Sequence, residues 1–381
     1  MEHYMATIKN NIQQIHDLGQ SVWCDSISRA MISTGELQRL IDLGVVGVTS
    51  NPTIFMKAIT ASSDYDARIN ELLRDNPDTL ALYEGLVIPD IIDAADILRP
   101  VHEATDTVDG FISLEVNPQL AYDTEATIAE ARRLFGEIAR PNVYIKVPAT
   151  DEGLPAIEAL IADGINVNVT LIFGLDVYDQ VMAAYISGLH ALAESGGDVS
   201  AVSSVASFFV SRVDTLIDSL LEEKRAGGES VDHLLGQAAI ANARLAYARF
   251  SEVFDAAGPF GVLALKGARV QRPLWASTST KNPAYSDTIY VDNLIGPHTV
   301  NTMPLATIEA TLDHADPQVT IDEGVDVAAG VFEELSELGI SIESATRQLR
   351  TEGVAAFAQS FNELLANLNA KQSKLKTAVQ H

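Results

Sequence analysis

Residues 110–117 read GFISLEVN, residues 143–148 read VYIKVP, and residues 165–171 read INVNVTL. Each run is short, rich in β-branched residues and alternating in chemistry. Successive side chains of a strand face opposite sides. Ile112, Leu114 and Val116 therefore form one face, and Ser113, Glu115 and Asn117 the other. Val143, Ile145 and Val147 oppose Tyr144 and Lys146, while Ile165, Val167, Val169 and Leu171 oppose Asn166, Asn168 and Thr170. A parallel strand covered by helices on both faces reads as continuously apolar. A barrel strand packs its outer face on helices, so the apolar sets belong outside and the polar sets point inward. Lysine and glutamate are seldom fully buried without a partner. An interior holding Lys146, Glu115, Asn168, Thr170 and, from WCDSISR at 23–29, Asp25 predicts a pocket with a function. Barrels of this kind keep their chemistry at the C-terminal strand ends.

Similar β-rich runs recur on both sides, alternating with helical patterns. Strands are predicted at Val22–Ser26, Val45–Ser50, Gly110–Val116, Val143–Val147, Ile165–Leu171, Val202–Val210, Pro273–Ser277 and His298–Thr302. That alternation predicts an α/β fold, a (β/α)8 TIM barrel with helical insertions and a helical C-terminal extension. An open doubly wound sheet would want a glycine-rich phosphate turn after an early strand, and neither GxGxxG nor GxxxxGK followed by Ser or Thr occurs. In EATIAEARRLFGEI, Ile128, Ala131, Leu134, Phe135 and Ile138 fall on one helix face. DYDARINELLRDN opens with acids, as a helix N-terminus favours.

Three regions exceed a minimal βα unit. Pro52 to Asp109 reads as wholly helical, and Val210 to Lys266 as two helices split at Arg225–Gly228. The tail after Pro304 predicts helices at Ile321–Glu337, Ile342–Glu352 and Val354–Leu368, with the polar end NAKQSKLKTAVQH fraying. No linker or repeat divides the 381 residues, which read as one domain with barrel strands over about 22–303 and a tail over 304–381. The length exceeds the ~250 residues of a minimal barrel, as insertions allow.

The net charge of −27 disfavours nucleic acid and anionic membranes as partners. It also repels phosphorylated substrates at long range, so any anion site must come from a few local cations. The first explanation of the acidity is solubility. The lone cysteine, Cys24, permits no intrachain disulfide and suits a reducing compartment, the cytoplasm. The N-terminal stretch MEHYMATIKNNIQQIHDLGQ lacks the apolar core of a signal peptide, and no apolar run reaches membrane-spanning length. The eight histidines form no HxxH or HxxxH pair, so no zinc site is expected.

A lysine in a low-dielectric site with polar neighbours can attack a carbonyl as the neutral amine, while a carboxylate moves protons. The interior set around Lys146 therefore suggests a Schiff-base enzyme. The structural alternative is an ion pair of Lys146 with Glu115 or Asp25 kept for packing, although such pairs contribute little net stability. Lys266, in LALKGARVQ, is the rival lysine, but Gly267 and Arg269 suggest a loop there. Lys57 reads as a solvated helix position and His298 as structural. Cys24 reads as an inert outward thiol, and Trp23 and Trp275 as core.

WCDSISR, GVTSNPTIF, SLEVNP, VYIKVPAT, INVNVTLIF, SFFVSRVD and RPLWASTSTKNP follow one another from residue 23 to residue 283. In that order they resemble the strand motifs of transaldolases, and the long insertions resemble the bacterial long-chain branch rather than the short fructose-6-phosphate aldolases. The resemblance implies Lys146 as the Schiff-base lysine and Asp25 as the group handling the proton of the substrate C4 hydroxyl. It implies Glu115 as a proton relay through a water, with Thr170 holding that water. Asn51 and Asn168 would hydrogen-bond the substrate, Ser207 and Phe209 would line the pocket, and Arg212 would grip the phosphate. The family often carries a second arginine two positions after the seventh-strand serine. Here that serine is Ser277 and position 279 is serine too, so either Lys281 supplies the second cation or nothing does.

The implied reaction moves dihydroxyacetone from sedoheptulose 7-phosphate to glyceraldehyde 3-phosphate in the nonoxidative pentose phosphate pathway, with no metal or organic cofactor. Sugar phosphates are the expected partners, and the protein is expected as a monomer or homodimer. The alternative is an aldolase releasing free dihydroxyacetone. Aldolases of this group tend to carry glutamine at the Glu115 position and tyrosine at the Phe209 position.

Overall fold

A computed structural model describes the backbone of residues 9–379 and the side chains of residues 9–373. Eight parallel strands close into a barrel in sequence order: β1 (Gln20–Cys24), β2 (Gly47–Val48), β3 (Phe111–Glu115), β4 (Val143–Pro148), β5 (Val167–Ile172), β6 (Ser204–Phe209), β7 (Arg272–Ala276) and β8 (Thr299–Met303). Strand β8 returns to β1, pairing Trp23 with Thr302. All eight predicted strands are present, displaced at their ends by up to a few residues. Four residues assigned to strand faces lie outside them: Val116 and Asn117 past β3, and Ile165 and Asn166 before β5. Asn117 accepts from the Gln119 amide and caps a short 3-10 turn, and Asn166 ties the loops below β5 through Pro141 and Ser203.

The alternation behaves as the strand period demands. Val22, Val143, Ile145, Val147, Val167 and Val169 are fully buried between the sheet and the surrounding helices. Inside, Tyr144 stacks on Phe111 and Trp23, with ring centroids 4.2 and 6.0 Å away. Gly47 in β2 makes room for this layer, since a Cβ there would lie 2.5 Å from the Trp23 ring.

The N-terminal end of the barrel holds an arrangement that the strand pattern did not announce. Arg272, at the start of β7, donates to Asp109 at 2.9 Å, to Ser21 at 2.8 Å and to the Val108 carbonyl at 2.8 Å. Ser21 and the Trp23 indole also donate to Asp109. Asp109 is buried, yet the Arg272 charge and these donors outweigh burial and hold its carboxyl below the usual range.

The insertion from Pro52 to Asp109 is helical, as expected: Pro52–Ala61, Asp66–Leu72 and the long Thr79–Ala104, capped at its start by Asp78. Between β6 and β7 run Ser211–Ala226 and Ala238–Phe254, followed by the short helix Gly261–Ala264. The tail departs from expectation in four ways. A helix Leu305–His314 follows β8 directly. The next begins at Val325 rather than Ile321, because the backbone amides of Thr320 and Ile321 bond the Ile295 carbonyl. The two final helices are one, Ile342–Val379. Gly353 does not break it. A Cβ there would meet Leu171 at 3.0 Å, so glycine lets the helix lie close to the end of β5. The polar end does not fray within the described residues, since the helix continues to Val379. Lys371 pairs with Asp66, and Gln372 donates to the Pro77 carbonyl at 3.0 Å. Residues 1–8, the first eight of the twenty-residue stretch read for a signal peptide, lie outside the described residues, as do the last two of the polar end. No described helix is long and apolar enough to cross a membrane.

Candidate active site

The C-terminal strand ends form a cleft enclosing about 600 Å³, its open mouth included. Asp25 stands just past β1 and Thr49 just past β2, and the Thr49 hydroxyl donates to the Asp25 carboxylate at 2.7 Å. Thr49 also shares a 2.6 Å hydrogen bond with Thr302 of β8. Asn51 caps the helix Pro52–Ala61, its side-chain oxygen accepting from the Ile54 amide at 3.0 Å. Such a cap contributes about 1 kcal/mol, and Asn51 also lines the cleft.

Lys146 rises from the middle of β4, in register with Glu115 of β3 and Asn168 of β5. Its side chain is only 6% exposed. Nζ donates to the Ser50 carbonyl at 3.3 Å and lies 3.7 Å from Glu115, near enough for charge attraction but outside hydrogen-bond distance. Burial pushes the Glu115 carboxyl up to about 7 against the pull of the Lys146 charge, and the neighbouring Asp25 adds to the rise. Burial also raises Asp25, opposed by Lys146, the Thr49 hydrogen bond and Lys281. The amine is thus flanked by two raised carboxyls, of which Glu115 can exchange a proton near neutrality.

Thr170 lies at an irregularity of β5. Pairing with β6 shifts between Val169 and Ile172, and Leu171 takes a left-handed φ of 61°. No described protein group bonds the Thr170 hydroxyl or Glu115 Oε2, although both atoms are buried. Asn168 is held from both ends of its amide: it donates to Ser113 at 3.0 Å and accepts from Ser207 at 2.7 Å. Asn168 and Thr170 are fully buried and form the cleft's underlayer rather than its wall, and Glu115 stands behind the amine.

Ser207 and Phe209 of β6 line the cleft. Arg212, on the first turn of the helix Ser211–Ala226, lies 5.7 Å over the Phe209 ring and has no ion-pair partner among the described residues. Ser277 follows β7 with a left-handed φ of 57°, and its hydroxyl lies 3.0 Å from that of Ser211. Lys281 donates to Ser279 and reaches the same cleft, where burial and the Arg212 charge lower its pKa. Two cations therefore converge at one end of the cleft of a strongly acidic protein, a suitable seat for a dianionic phosphate.

All eleven predicted site residues gather at this end of the barrel. Lys266 does not: it is exposed in a turn after the helix Gly261–Ala264. Lys57 is exposed on its helix, and His298 is exposed just before β8. Cys24 is buried, and burial pushes its thiol up to about 12. Among the described residues no group of three or more His, Cys, Asp or Glu side chains could hold a metal. Phe357, from the C-terminal helix, also lines the cleft. Its signal was the spacing Val354, Phe357, Phe361, Leu364 and Leu368, which marks a buried face but not what that face covers.

Residues 22–368 match the family model described as transaldolase/fructose-6-phosphate aldolase. The chain is 46% identical over 377 residues to a transaldolase of Trichodesmium erythraeum, covering 97% of this chain and 99% of that one. It is 48% identical over 378 residues to a transaldolase of Mycobacterium tuberculosis, covering 99% and 100%. It is 49% identical over 374 residues to one of Saccharopolyspora erythraea, covering 97% and 100%. With matches of that length and identity, the chain belongs to the transaldolase/fructose-6-phosphate aldolase family.

Proposed function

We infer that this protein is a transaldolase, a transferase acting through a lysine Schiff base. Relatives at 46% to 49% identity along nearly the whole chain carry that name. The observation that carries the chemistry is a buried amine 3.7 Å from a carboxyl held at about 7. The proposed donor is sedoheptulose 7-phosphate and the acceptor glyceraldehyde 3-phosphate, giving erythrose 4-phosphate and fructose 6-phosphate.

Neutral Lys146 adds to the C2 carbonyl of the donor. Glu115, through a water held with Thr170, protonates the carbinolamine hydroxyl, which leaves as water and yields the iminium. Asp25 takes the C4 hydroxyl proton, the C3–C4 bond breaks, and its electron pair passes to the iminium to form the enamine while an aldose phosphate leaves. The enamine carbon then attacks the acceptor aldehyde, and Asp25 returns its proton to the new alkoxide. Water added with Glu115 as base releases the product ketose. Asn51 orients the donor directly and Asn168 through Ser207, which donates to it at 2.7 Å, while Phe209 and Ser277 shape the pocket and Arg212 with Lys281 hold the phosphate. We place the reaction in the cytoplasm, read the chain as one domain, and leave monomer and homodimer as the two assemblies to compare.

The releasing reaction is the less favoured reading, because Glu115 and Phe209 stand where lyases of this group tend to carry glutamine and tyrosine. Borohydride added with fructose 6-phosphate should attach a three-carbon adduct to Lys146, located by mass spectrometry. Without an aldehyde acceptor little free dihydroxyacetone should appear. An adduct elsewhere, or rapid release without acceptor, would overturn the reading.

A further inference from the structure

The C-terminal helix brings one aromatic ring to the amine. Val354, Phe357, Phe361, Leu364 and Leu368 form its buried face. Arg350 donates to the Ala149 carbonyl at 3.1 Å, the Thr53 hydroxyl to Ser360 at 2.9 Å, and Gln119 to Asn362 at 2.6 Å. These bonds fix the helix against the ends of β3 and β4 and against the helix Pro52–Ala61. Phe357 is 5% exposed, and Nζ of Lys146 lies 5.6 Å from its ring centroid. Ordinary packing would set another apolar group there.

We propose that Phe357 is a positioning residue of the transfer reaction, its ring face holding the Lys146 nitrogen in the cationic iminium form. The inference rests on the Schiff-base reading above. The nitrogen is cationic in both iminium intermediates and neutral in the enamine between them. An aromatic face attracts a desolvated cation within about 6 Å. Glu115 cannot serve as a constant counter-charge, because it must gain and lose a proton in each cycle. The ring does not titrate, so it favours the iminium in either protonation state of Glu115. It also excludes water from one side of the nitrogen.

The test compares Phe357→Leu, Phe357→Met and Phe357→Tyr in the full chain. Fructose 6-phosphate is the donor, and borohydride-trapped fraction, kcat and KM are the readouts. Leucine and methionine keep apolar volume without a ring, whereas tyrosine keeps the ring. Both non-aromatic variants should lose about fivefold to tenfold in trapped fraction and kcat, with donor KM within about twofold of wild type, and Phe357→Tyr should recover most of the loss. If all three variants match wild type, or all three lose equally, the ring's charge preference plays no part and the inference fails. If wild type itself is not trapped, the Schiff-base reading fails and takes this inference with it.

Discussion

The barrel carries a buried ion pair at each end, and the two are built to opposite specifications. At the N-terminal end Arg272 and Asp109 meet at 2.9 Å, and Ser21, Trp23 and the Val108 carbonyl take up further bonds. At the C-terminal end Lys146 and Glu115 stand 3.7 Å apart, and Glu115 Oε2 has no described protein partner. The carboxyl of the first pair is held low, whereas that of the second is raised, because burial there outweighs the pull of Lys146. Burial alone therefore does not mark a site. What marks it is burial without saturation, where ionisable groups keep bonding capacity for a substrate.

The largest effect expected is from Lys146→Ala. Covalent trapping should vanish and transfer should fall by at least about 10^4-fold, as for loss of a nucleophile. The melting temperature should hold or rise, because Glu115 can stay protonated once its partner is gone. A variant that keeps turnover would move the nucleophile elsewhere.

Arg272→Met should do the reverse. It strands Asp109 as an uncompensated buried charge, a loss of about 3–5 kcal/mol in urea unfolding, while kcat per folded molecule stays near wild type. If this variant lost activity without stability, the division between a structural end and a chemical end would be wrong.

The two arginines sharpen the same contrast, since Arg272 has protein partners and Arg212 has no described ion-pair partner. Arg212→Ala should leave stability nearly unchanged and raise KM for phosphorylated donors by roughly 10- to 100-fold, the loss of about 1.5–3 kcal/mol for a charge-assisted bond. Unphosphorylated dihydroxyacetone donors should be much less affected. Equal losses for both substrate types would assign Arg212 to the fold.

The smallest effect is a slope. Because its folded pKa is raised to about 7, Glu115 makes the folded state bind protons that the unfolded state has released. Its contribution to stability is present below the ordinary carboxylate range and is lost as pH rises towards 7. Asp109, held low, contributes above the ordinary range and loses that contribution as pH falls. Glu115→Gln should flatten the decline in melting temperature between pH 5 and pH 7, about the window from an unfolded carboxyl to the raised value. It should also slow Schiff-base formation, since an amide cannot exchange the proton. An unchanged slope would show that Glu115 is not raised.

The barrel was legible because its strands have two unlike faces, which only a closed sheet with a polar interior explains. Lys146 and Glu115 were legible for the same reason, since charge on the inner face of a strand needs a partner. Arg272 and Asp109 were not, because they are 163 residues apart, with Asp109 before its strand and Arg272 at the very start of one. Asn117 and Asn166 followed the alternation but ended as a cap and a loop tie, since Asn bonds nearby backbone as readily as it lines a strand. Gly353 read as a break, because a glycine required by close approach looks in sequence like one that ends a helix. Phe357 was invisible as a site residue for a related reason: helical periodicity shows which face is buried, never against what.

The long final helix also gives the enzyme a timetable. Phe357 lies more than two hundred positions after Lys146. A ribosome adding about 5–20 residues per second exposes it roughly 10–40 s later. Strands β5 to β8 are made within that interval, and when β8 ends at Met303 the roof over the amine is still 54 residues away. Joining the two is a distant contact, among the last a folding chain secures. Until the last helix is made, the cleft lacks the ring that stands 5.6 Å from the amine in the finished protein. Synthesis that stops between Met303 and Phe357 leaves the barrel strands with their lysine in place and without that ring.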